Sequence, residues 1–205
     1  MSTNVVVAHE SIADELESKL SQKLADLQAT KDGVFVRGLF SSASADRARA
    51  LIKDAQDKGA KVQGGKDDES TSLVQPRLVT QVTKDMDIYK NEHFSPLLNL
   101  VRFKTDEEAI DIANSSEYGL AAAVYSKDEG HAYRVASQID AGMVHVNGAT
   151  IHDTQTLPHG VSRVSFICCL ACLCSRLATL GLEEQRQWKI QWVSSMFSHI
   201  FITHA

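Results

Sequence analysis

Short runs of β-branched and aliphatic residues alternate with longer stretches whose apolar residues return every three or four positions, and no other property of this sequence narrows the possible folds so far. Residues 1–8 hold Val5, Val6 and Val7 and read as a strand. Ile12, Leu16, Leu20, Leu24 and Leu27 then recur at helical spacing, with Ser11 placed as the cap and Asp14 three residues on. A second helix is expected over residues 45–58, with Ala48, Leu51, Ile52 and Ala55 inward and Gly59 as its left-handed stop. A short strand and turn over 60–65 follows, then an edge strand over 73–79, because Pro76 cannot donate to a ladder. A core strand over 97–103, a helix over 106–115, a strand over 120–125, a helix over 129–139 and a strand over 143–147 complete the series. Switching between the two periods builds crossover units. The expected fold is α/β, a mostly parallel twisted sheet with flanking helices and with ligands at the carboxyl ends of its strands.

A chain of 205 residues can bury one good core, and 43% hydrophobic with 23% charged residues is the balance of an ordinary soluble protein. The formal charge of −5 leaves no nucleic-acid footprint. The opening residues lack a basic start and a long apolar run, so a cytosolic setting is expected. Cys168, Cys169, Cys172 and Cys174 are bunched together, which is not a disulfide framework spread over a domain. The charged run from Lys66 to Ser72 reads as a solvated loop.

The stretch from Asp85 to Leu100 carries the most chemistry. Pro96 excludes a helix interior and pushes Ser95 toward extended geometry, so a loop feeds the strand that begins at Leu97. Glu92 can accept two hydroxyl protons at once, and the phenyl face of Phe94 can stack on a flat heterocycle. Those are the means to grip a ribose and its base. The plainer reading makes Glu92 a solvated loop acid and Phe94 a core anchor.

Asn91-Glu-His-Phe-Ser-Pro96 resembles the Glu-Glu-x-Phe-Gly-Pro turn of the NAD(P)-dependent aldehyde dehydrogenases. Residues 116–128, with Tyr118-Gly-Leu120 and Ala123-Val124, are similar to that family's Asn-x-x-x-Tyr-Gly-Leu-x-Ala-x-Val strand, and residues 141–148 to its Ala-Gly-x-Val-x-Val-Asn. The resemblance runs from Met1 to about Gly160. It implies that Glu92 holds the nicotinamide ribose of NAD or NADP and that Phe94 helps position the ring. Asn91 stands where the family has its first acid and Ser95 where it has glycine. Residues 154–160 are closest to the branch acting on aromatic aldehydes such as salicylaldehyde or vanillin. Ile151, His152 and His159 would fall in the loop at the substrate entrance.

The resemblance also implies missing parts. The family's nucleophile lies in Gly-Gln-x-Cys ahead of a Met-Ser-Thr-like stretch, so this sequence, starting Met1-Ser2-Thr3, would open one residue after that cysteine. The base glutamate, the oxyanion asparagine and the dinucleotide-binding half would lie further upstream, and no Gly-x-Gly-x-x-Gly occurs. No catalytic residue is therefore assigned. Residues 1–160 are expected to be a partial catalytic domain and 161–205 an unrelated C-terminal tail, disordered or loosely helical.

Three readings of the tail stay open. Cys169 and Cys172 have metal-ligand spacing but no second pair, so no metal site is assigned; residues 164–182 could be scored as a marginal membrane segment interrupted by Arg176; and the stretch could be read-through beyond a splice junction. His145, between Val144 and Val146, reads as a packed or rim histidine, and nothing places Asp153 and His152 beside Cys168 or Cys169.

Two functions follow. One is a fragment of an enzyme oxidising aldehydes to acids, with a small-molecule aldehyde as substrate and neither nucleic acid nor membrane as partner, the isolated chain being inactive. The other is a non-catalytic module that associates with full-length family members through the surface a lost domain would leave exposed. Turnover by the chain or its co-purification with a full-length dehydrogenase separates them.

Overall fold

The structure, a computed structural model, describes residues 2–27, 36–68, 70–150, 162–163 and 198–203. It is α/β. Strand β1 (Ser2–His9) runs directly into helix α1 (Glu10–Ala25). The cap is not Ser11, which lies inside the helix: the Nδ1 of His9 accepts the Ser11 backbone N–H at 3.2 Å. Helix α1 lays Ala13, Leu16, Leu20 and Leu24 on one face of the sheet, against Val6, Ala8, Leu78 and Leu100.

Helix α2 (Ser42–Asp57) starts at Ser41, whose Oγ accepts from Ser44 N–H, and ends at Gly59, where φ is +92°. It packs Leu51, Ile52 and Ala55 into the larger core on the opposite face, with Val7, Val79, Leu97, Val101 and Phe103. Strand β2 (Lys61–Gly64) pairs antiparallel with β3 (Arg77–Thr80), which pairs parallel with β4 (Leu97–Phe103). The expected edge strand is thus interior. Pro76 sits one residue ahead of β3 and costs it no hydrogen bond, so β2 is the outer strand.

The charged run of residues 66–72 is more than a solvated loop. Asp67, its side chain 6% exposed, pairs with Arg77 at 2.9 Å and lies 3.8 Å from Arg49. The Arg49 guanidinium in turn donates to the carbonyls of Asp68, Thr71 and Leu73.

A four-residue helix α3 (Asp87–Lys90) precedes β4, and α4 (Asp106–Asn114) follows it with Thr105 as its cap. Then come β5 (Tyr118–Gly119), β6 (Ala121–Tyr125), α5 (Glu129–Ala136), β7 (Met143–Val146), β8 (Ser162–Arg163) and β9 (Ser198–Thr203). The large sheet has the order β2-β3-β4-β1-β9-β6-β7, and β5 pairs with β8 apart from it. Only β2 runs antiparallel to its neighbour there. Two pieces of residues 161–205 are therefore strands, and β9 is central: Ile200, Phe201 and Ile202 supply the β-branched and aromatic content that a strand prefers.

Two positions tie the carboxyl ends of the strands together. Asn147, at φ +50°, accepts the Ser126 N–H on its Oδ1 and donates Nδ2 to the Ser126 carbonyl, both at 3.0 Å. His131 Nε2 meets Asp106 Oδ2 at 2.6 Å, joining α5 to the start of α4.

Candidate functional site

Glu92 and Phe94 lie in the turn that enters β4, at the amino end of the parallel strands. This differs from the expected carboxyl-end placement. The carboxyl-end rule follows from the loops that leave strands toward helices; here α3 and residues 91–96 fill the other end, because Pro96 keeps the chain irregular up to Leu97.

The turn is held from several sides. Asp87 N–H donates to Asp54 Oδ2 at 2.9 Å, fixing the start of α3 on α2. Asn99, fully buried in β4, donates Nδ2 to the Ile88 carbonyl at 3.0 Å, and Asn91 donates Nδ2 to the Asp87 carbonyl at 3.1 Å. Arg47 Nη2 donates to the main-chain carbonyl of Glu92 at 3.2 Å. The backbone from which the Glu92 side chain springs is thereby fixed, while that side chain is half-buried.

Phe94 has φ +45°, a conformation that costs a bulky residue about 1–3 kcal/mol. Its ring is not a core anchor, being 46% exposed. The left-handed residue reverses the alternation around it: His93 and Ser95, on either side, are each 5% exposed, and Ser95 Oγ lies 3.2 Å from His93 Nδ1. Burial lowers the His93 pKa from 6.5 to about 4, the nearby Ser95 backbone opposes this, Arg47 adds to it and the Asn4 backbone again opposes it. His93 is neutral at pH 7, and its Nε2 is buried without a hydrogen-bond partner among the described residues.

Next to the turn, Asn4, Tyr89, Asn91, Ser115, Ser116 and Asp140 line a cleft between β1, α3 and α4, closed at one side by a 2.8 Å hydrogen bond between Tyr89 Oη and Ser115 Oγ. Its enclosed interior of about 30 Å³ has room for one or two waters.

Of the other predicted residues, Ile151, His152, Asp153, His159 and the four cysteines lie outside the described residues. His145 is half-buried in β7 opposite Ala123, its Nε2 buried without a hydrogen-bond partner among the described residues. Also among the described residues, no cluster of three metal-ligating side chains occurs and no helix is long and apolar enough to cross a membrane. Arg47 and His93 were not singled out from sequence. Arg47 acts 45 residues from its partner, with no local signal, whereas His93 lies inside the motif and its burial follows only once Phe94 is known to turn outward.

Residues 1–167 match the model of the aldehyde dehydrogenase family. The chain is 40% identical over 155 residues to a vanillin dehydrogenase of a Pseudomonas species, covering 73% of this chain and 32% of the relative. It is 37% identical over 164 residues to the salicylaldehyde dehydrogenase of Pseudomonas putida, covering 78% and 34%. The solved salicylaldehyde dehydrogenase of Pseudomonas putida G7, complexed with salicylaldehyde, superposes with a TM-score of 0.72 at 34% identity, over 78% of this chain and 34% of that one. An oxidoreductase from Marinobacter aquaeolei gives 0.73 at 31% identity over the same shares. The chain thus spans about a third of the length of the curated relatives it matches.

Proposed function

The chain belongs to the aldehyde dehydrogenase family, and on that footing we propose that its first 160 residues form the nicotinamide-facing part of a catalytic domain that oxidises aromatic aldehydes to acids with NAD or NADP. The observation that carries this reading is the turn at 91–96, in which Phe94 is held outward at φ +45° beside Glu92. The Glu92 carboxylate would accept the hydroxyls of the nicotinamide ribose, and the Phe94 ring would lie along the nicotinamide and keep water from that face. Arg47 would keep both in register by holding the Glu92 carbonyl. When bound, the nicotinamide supplies a hydride acceptor. Ile151 and His152 would line the aldehyde entrance, and the vanillin and salicylaldehyde relatives support an aromatic substrate.

The four cysteines of the sequence lie outside the described residues, and no residue at the turn is assigned as nucleophile; on this reading the 205 residues by themselves are not expected to turn aldehyde over. They also carry only one end of the proposed cofactor grip. Losing the phosphate and adenine contacts moves a micromolar site toward millimolar, roughly a thousandfold.

The test is a fusion of this chain to the dinucleotide-binding half and cysteine segment of a salicylaldehyde dehydrogenase, assayed by the absorbance of reduced nicotinamide. Glu92→Gln is expected to slow hydride transfer while leaving aldehyde binding intact. An unchanged single-turnover rate would remove Glu92 from the proposed role. Turnover by the unfused chain would overturn the claim of inactivity.

A further inference from the structure

Helix α1 and the carboxyl ends of β3 and β4 border an open cleft of about 700 Å³, with the first residue of β2 on its rim. Asp14, Glu17 and Ser21 line it from the helix, Lys61 from β2, Thr80 from β3 and Arg102 from β4. Its volume falls in the range of about 300–1,000 Å³ that small ligands occupy. It lies at the end of β4 opposite the turn at 91–96, and none of its lining residues belongs to that turn.

The charges in this cleft form a row of alternating sign. Glu17, its side chain 14% exposed, takes Lys61 Nζ at 3.1 Å and Gln63 Nε2 at 2.8 Å on Oε1, and Arg102 Nη2 at 2.9 Å on Oε2. Arg102 Nη2 in turn meets Asp14 Oδ1 at 2.7 Å. Burial acts to raise the Glu17 pKa, but the bonds from Lys61 and Arg102 outweigh it and hold the carboxyl below its ordinary value. The inner members of the row, Glu17 and Arg102, are thus satisfied by their neighbours. The outer members, Lys61 and Asp14, are mostly exposed, and each has one ion-pair partner among the described residues; Lys61 keeps two further N–H donors and Asp14 a second carboxylate oxygen. The row carries no net charge, so an ion of either sign gains at one end what it loses at the other.

Between the strands of Lys61 and Arg102 stands Thr80, on the α1 side of the sheet like Leu78 two residues before it. Thr80 is 2% exposed, and its Oγ1 is buried without a hydrogen-bond partner among the described residues. The wall of the cleft therefore holds a polar atom in want of a partner.

We propose that the cleft is a binding site for a short zwitterionic peptide of the dipeptide class, with its carboxylate on Lys61, its ammonium on Asp14 and its peptide group over Thr80. Two charged groups separate Lys61 from Asp14 in the row, so the ligand's own charges must stand several ångström apart; a dipeptide meets this and a free α-amino acid does not. Contacts made so near solvent give selectivity more than affinity. The site is independent of the cofactor turn and stands whether or not the dehydrogenase reading holds.

The probe is glycylglycine, titrated at low ionic strength into the 205-residue chain while backbone amide shifts are followed by NMR. Saturable shifts are expected at Glu17, Lys61 and Gln81, all of which line the cleft, and none at residues 92–95. N-acetyl-glycylglycine, which lacks the ammonium, and glycylglycine amide, which lacks the carboxylate, should each bind about fivefold more weakly. Lys61→Met should weaken glycylglycine about fivefold and leave the amide unchanged, and Asp14→Asn should weaken glycylglycine about fivefold and leave the acetylated form unchanged. Both side chains are mostly exposed, so neither substitution threatens the fold. No saturable shift up to about 50 mM glycylglycine, or equal binding of the three ligands, would overturn the proposal. So would a loss for the amide on Lys61→Met as large as that for glycylglycine, because the lysine would then act elsewhere than on the carboxylate.

Discussion

Arg47 of α2 holds the main-chain carbonyl of Glu92 at 3.2 Å, tying a helix to a turn 45 residues further along the chain. Arg47 is exposed, so this bond contributes about 1 kcal/mol of stability or less; its effect is on position. Arg47→Ala is expected to leave the melting temperature nearly unchanged and to speed hydrogen exchange across residues 92–95 about tenfold. Unchanged exchange there would mean that Asp54, Asn91 and Asn99 hold the turn without it.

The backbone of Phe94 gives a contrast between two small substitutions. Phe94→Gly removes the ring and relieves the left-handed strain, whereas Phe94→Ala removes the ring and keeps the strain. In urea titrations the glycine variant should therefore exceed the alanine variant by about 1 kcal/mol. Equal stabilities would indicate that φ +45° is not imposed by the surrounding turn.

Stability should fall on acidification through His93. Its folded pKa of about 4 lies below the ordinary 6.5, so the unfolded chain binds the proton more readily between those values. The stabilisation is complete above pH 6.5 and is lost as pH falls toward 4, by roughly 3 kcal/mol in total. Unfolding free energies measured from pH 7 to pH 4 should show this slope, and His93→Gln should flatten it. Parallel slopes in the two proteins would assign the acid sensitivity to other groups.

At the other end of the sheet, Asn147→Ala strips both side-chain hydrogen bonds from the Ser126 backbone and leaves an alanine at φ +50°. A loss of about 2 kcal/mol is expected. Asn147→Gly, which loses the bonds but tolerates the backbone, should recover about 1 kcal/mol of it. Thermal melts of the three proteins separate the contributions, and identical melts for the two variants would mean that the backbone conformation costs nothing.

The strands β1, β4, β6 and β7 and all four longer helices were legible because their periodicities are carried by adjacent residues. Helix α3, with four residues, is too short to show a period. Pro76 misled because its prohibition applies to its own N–H, and the ladder of β3 begins one residue later. Glu92 and Phe94 were singled out as candidates through the motif they share with a family, but their surroundings were not legible: the reach of Arg47 across 45 residues and the inward turn of His93 belong to tertiary structure. Ser198–Thr203 escaped notice because an apolar triplet within polar surroundings carries no indication of which sheet it joins.

The pairing of Ser2 with Ser198 also sets a schedule for synthesis. At about 5–20 residues per second, β1 leaves the ribosome roughly 10–40 s before β9 does. Over most of that time β4 can pair with one edge of β1, while the opposite edge of the same residues, Val5 to Val7, waits for β9. The nascent protein thus spends tens of seconds with an apolar sheet edge inside its half-built core. Its yield in a cell should depend on how fast the last part of the message is translated and on whether a chaperone guards that edge meanwhile.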